Sequence, residues 1–324
     1  MRVVVIGATG HIGTYLVPRL VRAGHRVVAV SRGEREPYRA DPAWAEVERF
    51  TVDRGAEEAA GAFGRRIAAL RGEAVVDLIC FEPGSCLQLV DALAGDVAHF
   101  LHCGTIWVHG PTEVVPTDET RPRRPFGAYG IAKAAIEALL LDRARLRGFP
   151  ATILHPGHIV GEGWRPVNPQ GNLNVRAFED LAAGEPVALP DRGLSLLHHV
   201  HADDVAQAFE RALTRPAAIG ESFHVVAGQA MTLRGLATGV ARWFGREPVL
   251  DFVDWPEFTR RAGAGHADIT RDHTFRGITA SIARASTVLG YAPRYSTLET
   301  LREALAWLVA HGQADIGGQQ FLYP

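Results

Sequence analysis

Cysteine is scarce, and what there is does not form a framework. Cys80, Cys86 and Cys103 are odd in number and lack metal-ligand spacing. This excludes a disulfide-stapled scaffold and a zinc ribbon. Cys80 and Cys103 sit in apolar, strand-like runs, where a free thiol behaves as a small buried hydrophobe. A reduced, cytoplasmic compartment is the expectation. Charge of either sign in excess is also missing: 34 basic residues face 36 acidic ones, for a net charge of −2. That leaves no electrostatic case for nucleic acid or an anionic membrane as partner. The one dense basic stretch, Arg121-Pro122-Arg123-Arg124, is short and reads as a solvated loop. No apolar run approaches the roughly 18 residues that span a bilayer. The first strand begins at once, so no signal peptide is expected. Internal repeats and low-complexity tracts are absent as well.

What is present is an ordinary globular composition, 47% hydrophobic and 22% charged, over a length suited to one large α/β unit and a smaller appended domain. Strand-like and helix-like segments alternate from the start. Strands are predicted at Arg2–Ile6, Arg26–Ser31, Glu48–Val52, Ala74–Cys80, His99–Gly104 and Ala151–His155. Helices are predicted at His11–Ala23, Ala56–Ala69, Ser85–Ala94 and Ala128–Arg147, the last stopped by Gly148 and Pro150. This alternation predicts a doubly wound parallel sheet covered on both faces. After Gly161 the texture changes to a Pro-, Gly- and Asn-rich loop, Gly163 to Asn172. The expected division is a dinucleotide-binding domain over 1–161 with return segments at about 202–228. An interleaved substrate domain takes 162–201 and 229–324.

Two motifs carry the chemistry. Gly7-Ala8-Thr9-Gly10-His11-Ile12-Gly13 follows the apolar run Val3-Val4-Val5-Ile6 and opens a helix. Glycine permits the tight turn and close approach of a pyrophosphate to a helix N-terminus. Tyr129-Gly130-Ile131-Ala132-Lys133 places a phenol and an ammonium one helical turn apart on one face. Each alone is a weak signal. In this order they favour a hydride-transfer enzyme.

With these motifs the chain resembles the extended short-chain dehydrogenase/reductases, the NAD(P)-dependent epimerase/dehydratase group, over nearly its whole length. The family's G-x-x-G-x-x-G matches Gly7, Gly10 and Gly13, and its Y-x-x-x-K matches Tyr129 and Lys133. Its strand end before a V-Y-G is similar to Gly104-Thr105-Ile106-Trp107-Val108-His109-Gly110. Its R-P segment is similar to His155-Pro156-Gly157-His158, and its H-V-x-D-x-A segment to His201-Ala202-Asp203-Asp204-Val205-Ala206. The resemblance implies a Rossmann sheet with a smaller C-terminal substrate domain, and a catalytic set of Thr105, Tyr129 and Lys133. It also implies cofactor contacts at Gly7, Thr9, Gly10, His11, Ile12, Gly13, Ser31, Arg32, Asp53, Lys133 and Pro156. The expected assembly is a homodimer paired through the helices at 85–94 and 128–147.

The end of the second strand bears on the nicotinamide. An acidic residue there serves the ribose 2′-hydroxyl of NAD; this chain has Ser31-Arg32-Gly33. A guanidinium suits a 2′-phosphate, so NADP is expected ahead of NAD. The resemblance implies an oxidoreductase or epimerase acting on a small molecule, a secondary alcohol or ketone such as a sugar or sugar-nucleotide derivative, with Trp107, His158, Trp164, Asn172 and Arg271 on its side of the pocket. Thr105-Ile106-Trp107 replaces the Thr-Asp-Glu of sugar-nucleotide 4,6-dehydratases and disfavours that elimination. Leu197 stands where many epimerases grip a diphosphate with arginine, and Arg271 is the expected remaining grip. His198-His199-Val200-His201 lacks a fixed third ligand on one strand face, so no metal is expected. His109, His155 and His158 are expected to line the pocket. A non-epimerising ketoreductase, and a non-catalytic cofactor- or RNA-binding member of the same fold, are the alternatives.

Overall fold

The computed structural model describes residues 1–322. Its first half builds strands β1 Arg2–Ile6, β2 Arg26–Ser31, β3 Glu48–Thr51, β4 Ala74–Asp77, β5 His99–Cys103 and β6 Ala151–Pro156. Between them run helices α1 His11–Arg22, α2 Arg54–Ala59, α3 Phe63–Ala68, α4 Pro83–Leu93 and α5 Gly127–Arg147. Further along come β7 His158–Val160, α6 Arg176–Ala183, β8 Val187–Pro190, β9 Leu196–Leu197, β10 His199–His201, α7 Ala202–Leu213 and β11 Glu221–Val225. The chain then forms β12 Met231–Thr232, α8 Leu233–Trp243, β13 Leu250–Val253, α9 Trp255–Ala262, α10 Ala264–Thr274, α11 Ala283–Leu289 and α12 Thr297–Ala310.

Seven strands form one parallel sheet in the order β11-β6-β5-β4-β1-β2-β3. The continuous apolar run of β1 is what a strand buried on both faces requires, and Val3, Val4 and Val5 are fully buried. One apolar cluster packs α1 and α7 on one face of the sheet. Another packs α3, α4 and α5 on the other. A third cluster joins α6, α8 and α12, with Leu197 fully buried in it. Strand order reverses between β1 and β4, so the loops leaving their C-terminal ends diverge and open a crevice.

The long helix expected over 56–69 is two helices. Gly61 adopts φ +63°, and Ala62 N–H donates to the Glu57 carbonyl. This is the left-handed glycine stop that satisfies the last carbonyls of a helix. Gly148 ends α5 in the same way, with Phe149 N–H donating to Arg143 O.

Two glycines test different constraints. No described residue comes within 4 Å of a Cβ built on Gly61, whereas one on Gly13 would stand 2.2 Å from the Ala8 carbonyl oxygen. Gly61→Ala should therefore cost only the left-handed backbone penalty, about 1–2 kcal/mol. Gly13→Ala must displace backbone and should cost clearly more. Urea unfolding of both variants checks the ranking; equal losses contradict it.

Candidate active site

The crevice at the strand-order reversal is a cleft of about 410 Å³ lined by Gly7, Gly10, His11 and Ile12 on one side and by Thr105, Trp107, Tyr129, Lys133 and Pro156 on the other. A second groove of about 420 Å³ shares Gly7, Gly10, Ile79 and Phe81 with it and runs along Thr9, Ser31, Arg32, Arg35 and Asp53. The two form one elongated trough across the C-terminal edge of the sheet.

Several local features fit that trough to a dinucleotide. Gly7 turns at φ +85°, and a Cβ there would meet Ile79 Cγ2 at 2.7 Å. Gly10 precedes α1 without a side-chain cap, and the first turn of α1 holds no acidic residue. The N–H groups of His11, Ile12 and Gly13 have no acceptor within the helix. They sit at the positive end of its dipole, which suits a pyrophosphate.

Lys133 is the best-anchored member of the set. Its Nζ donates to Cys80 O and Cys103 O, both at 2.7 Å. It lies 4.8 Å from the Phe81 ring centroid and 5.9 Å from that of Tyr129. Burial lowers its pKa, with the Cys103 thiol and Asp77 opposing that shift. Two of its three N–H groups serve the protein, and one remains for a ligand. Tyr129 stands one turn earlier on α5. Burial pushes its phenol above the ordinary value, and the nearby Thr105 hydroxyl opposes that shift. Thr105 Oγ1 also accepts from Trp107 N at 3.3 Å.

Thr105 is held from beneath by a buried polar chain that sequence reasoning missed. Thr105 N–H donates to His155 Nδ1 at 2.9 Å. His155 Nε2 meets Glu137 Oε1 at 2.9 Å. Arg123 grips the same carboxylate through Nε and Nη2 at 3.1 and 2.7 Å. Glu137 follows Lys133 by one turn, so one face of α5 carries phenol, ammonium and carboxylate. Gly104 is required here, since a Cβ on it would stand 2.3 Å from His155 Nδ1.

The remaining predicted residues divide. His158 and Trp164 line the cleft, and Trp164 stacks on His11 at 4.7 Å. His155 does not line it: the ring is fully buried and occupied as above. His109 opens instead on a small separate pocket with Pro111 and Thr112. Asn172 is also fully buried, bonded to Asn168 and Thr270, and serves the loop's own fold. Arg271 faces a different cavity, its guanidinium 5.4 Å from the Trp255 ring. Arg271 was expected from the family resemblance and Asn172 from its loop, and neither placement fixes which way a side chain points. His273 lines the cleft in Arg271's stead, and no sequence signal marked it. Arg32 pairs with Glu34 at 2.9 Å, with both side chains more than half exposed. Ser31 Oγ accepts from Gly33 N. Asp53 caps α2 through Ala56 N while lining the groove. In the His198–His201 segment, His198 bonds Ala227 O, His199 bonds Val167 O and His201 bonds Glu303.

Residues 3–76 and 85–228 match the family described as NAD dependent epimerase/dehydratase. The chain belongs to that family. It is an NAD(P)-dependent enzyme of the extended short-chain dehydrogenase/reductase type. It is 28% identical to a 2′-dehydrokanamycin reductase of Streptomyces kanamyceticus, over 79% of this chain and 70% of that one. It is 25% identical to the chloroplast stem-loop binding protein of 41 kDa b of Arabidopsis thaliana, over 94% and 78%. Among solved structures, a UDP-glucose 4-epimerase with UDP-glucose from Thermotoga maritima shares the fold. Its TM-score is 0.73 at 23% identity, covering 96% of this chain and 99% of that one.

The network under Thr105 has a pH signature. Burial pushes the Glu137 carboxyl up, but His155 and Arg123 outweigh it and hold its pKa far below the usual range. A carboxylate depressed in this way contributes stability above its unfolded pKa of about 4.3 and loses it as pH falls toward the folded value. Glu137→Gln should cost about 3 kcal/mol at pH 7, as breaking a buried pair does. Its deficit against the native protein should shrink below about pH 4. Denaturation at several pH values checks this; a deficit that does not change with pH contradicts it.

Proposed function

We propose that the protein is an NAD(P)-dependent reductase or epimerase that acts at a secondary alcohol or ketone of a sugar or sugar-nucleotide derivative. The observation that carries this reading is the meeting of Thr105, Tyr129 and Lys133 at one end of the trough opened by the glycine turn. When bound, the nicotinamide supplies or takes up hydride. Tyr129 exchanges the proton with the substrate oxygen, and Thr105 orients that oxygen. Lys133 holds the cofactor ribose with its remaining N–H and favours the phenolate electrostatically. The similarity to a protein named 2′-dehydrokanamycin reductase supports reduction as the direction.

NADP is our preferred cofactor. Arg32 and Arg35 both border the adenosine end of the trough, beside the carboxylates Glu34 and Asp53. Gly7, Thr9, Gly10, His11, Ile12 and Gly13 take the pyrophosphate; Ser31 and Asp53 take the adenosine; Pro156 stands on the nicotinamide side. Trp107, His158 and Trp164 face the substrate. We assign the region beyond 162, apart from about 202–228, to substrate binding. A homodimer through α4 and α5 is supported by exposed Leu87 and Ile131 on those helices. The thiols, all free and buried, suit a reducing cytoplasm. RNA binding is not favoured for a chain of net charge −2.

Tyr129→Phe should lower NADPH-dependent reduction of a keto-sugar panel by at least about a hundredfold, the worth of a positioned general acid, with cofactor affinity retained. Arg32→Asp should shift the cofactor preference from NADP(H) to NAD(H) in fluorescence titrations. Near-normal turnover by Tyr129→Phe would sink the proton-transfer assignment. Equal or tighter native affinity for NAD(H) would sink the cofactor assignment alone.

A further inference from the structure

Past the Tyr129–Lys133 centre, one wall of the cleft is imidazole. Trp107 stands edge-on to Tyr129 with ring centroids 5.7 Å apart. It also meets His158 at 6.3 Å and His273 at 5.4 Å. His158 and His273 are themselves perpendicular at 5.2 Å. Both line the cleft, one aromatic ring away from the phenol. His158 comes from β7 and His273 from α10, so two distant segments converge on this spot.

Backbone carbonyls fix the proton on each ring. His158 Nδ1 lies 3.2 Å from His198 O, and His273 Nδ1 lies 2.8 Å from Gly171 O. A carbonyl only accepts, so Nδ1 is the donor in both rings, and a neutral ring keeps its lone pair at Nε2. Burial lowers the pKa of both; for His158, His273 and His199 add to it, and for His273 the Gly171 carbonyl opposes it. His158 is only 8% exposed, and its Nε2 has no partner among the described residues. A buried acceptor without a donor costs free energy unless a ligand satisfies it.

Arg271 and Arg276, which could grip an anion here, are engaged elsewhere. Leu197 is buried in an apolar cluster and Arg271 lies in the neighbouring cavity. The Arg276 guanidinium rests over Trp107 at 3.6 Å and Phe126 at 4.0 Å. It also donates to the carbonyls of Asp272 and Phe126. Arg165 lines the cleft from the loop that carries Trp164, a different segment from those that carry His158 and His273. A diphosphate needs charged donors, and this wall offers neutral acceptors.

We propose that His158 and His273 form a hydroxyl-recognition subsite that selects a polyhydroxylated ring ketone carrying no diphosphate. The subsite rests on the hydride-transfer reading above and narrows its substrate class. Ring hydroxyls next to the carbonyl donate to the two Nε2 atoms while Thr105 and Tyr129 hold the carbonyl oxygen. Trp107 provides the apolar face against which the ring lies.

Ligand-observed NMR on the NADP-loaded protein tests it, with 2-keto-myo-inositol, cyclohexanone and UDP-glucose as probes. The inositol ketone should bind more tightly than either of the others. His158→Phe and His273→Phe should each weaken it about tenfold, the worth of one well-made hydrogen bond. Cyclohexanone and NADP affinity should stay unchanged, and His158→Gln, which keeps an acceptor, should recover part of the loss. The proposal is overturned if the inositol ketone fails to bind, if UDP-glucose binds more tightly, or if the phenylalanine variants bind it normally. A uniform loss of all probes in those variants also overturns it, since that marks a collapsed cleft. Failure of the underlying reading looks different: NADP fails to bind the native protein, or Tyr129→Phe still oxidises NADPH with the ketone at the native rate.

Discussion

The Lys133 ammonium, bonded at once to Cys80 O and Cys103 O, is the contact on which the site depends. It is reached from α5 and ties that helix to the backbone beyond β4 and at the end of β5. Burying an ammonium is expensive unless its donors are met. Two carbonyls meet them here, and the aromatic rings of Phe81 and Tyr129 stand around the charge. With Lys133 fixed, Tyr129 is carried to a set height above the strand ends, and Thr105 lies within its reach. A looser lysine would leave the phenol without a defined position relative to the glycine turn across the crevice.

Charge is distributed around this contact in layers. Below Thr105 the Arg123–Glu137 ion pair and the His155 ring that accepts from Thr105 N–H form one buried chain. Above it, toward the substrate side, the imidazoles are neutral and oriented by backbone carbonyls. The lower layer holds geometry, because paired buried charges tolerate little displacement. The upper layer reads a ligand, because neutral acceptors select for donors without attracting anions. Trp107 faces Tyr129, His158 and His273 together.

Much of this was legible in the sequence where periodicity or backbone chemistry dictates the outcome. The strands at Arg2–Ile6 and Arg26–Ser31 came out with the predicted bounds, since a continuous apolar run between turn signals has few other uses. Tyr129 and Lys133 fall on one helix face because helical spacing demands it. The break at Gly61 was missed, because a glycine inside a helical pattern is often tolerated. Arg271 and Asn172 were expected at the substrate and lie elsewhere. Their direction is set by the packing of α9 and α10 and by the Asn168–Asn172 hydrogen bonds, which no spacing encodes. His155 was read as a pocket residue; its role under Thr105 depends on Glu137 and Arg123 arriving from two other segments.

The central claim is that Lys133 makes Tyr129 a competent proton donor for hydride transfer. A single-turnover experiment tests it most directly, mixing enzyme, 4-deuterated NADPH and a ring ketone, and measuring deuterium at the product carbinol carbon by mass spectrometry. The account predicts label transfer by the native protein and a loss of rate of about a hundredfold or more in Lys133→Met at saturating cofactor. Undiminished labelling by Lys133→Met, or no deuterium in the product of the native protein, would contradict it.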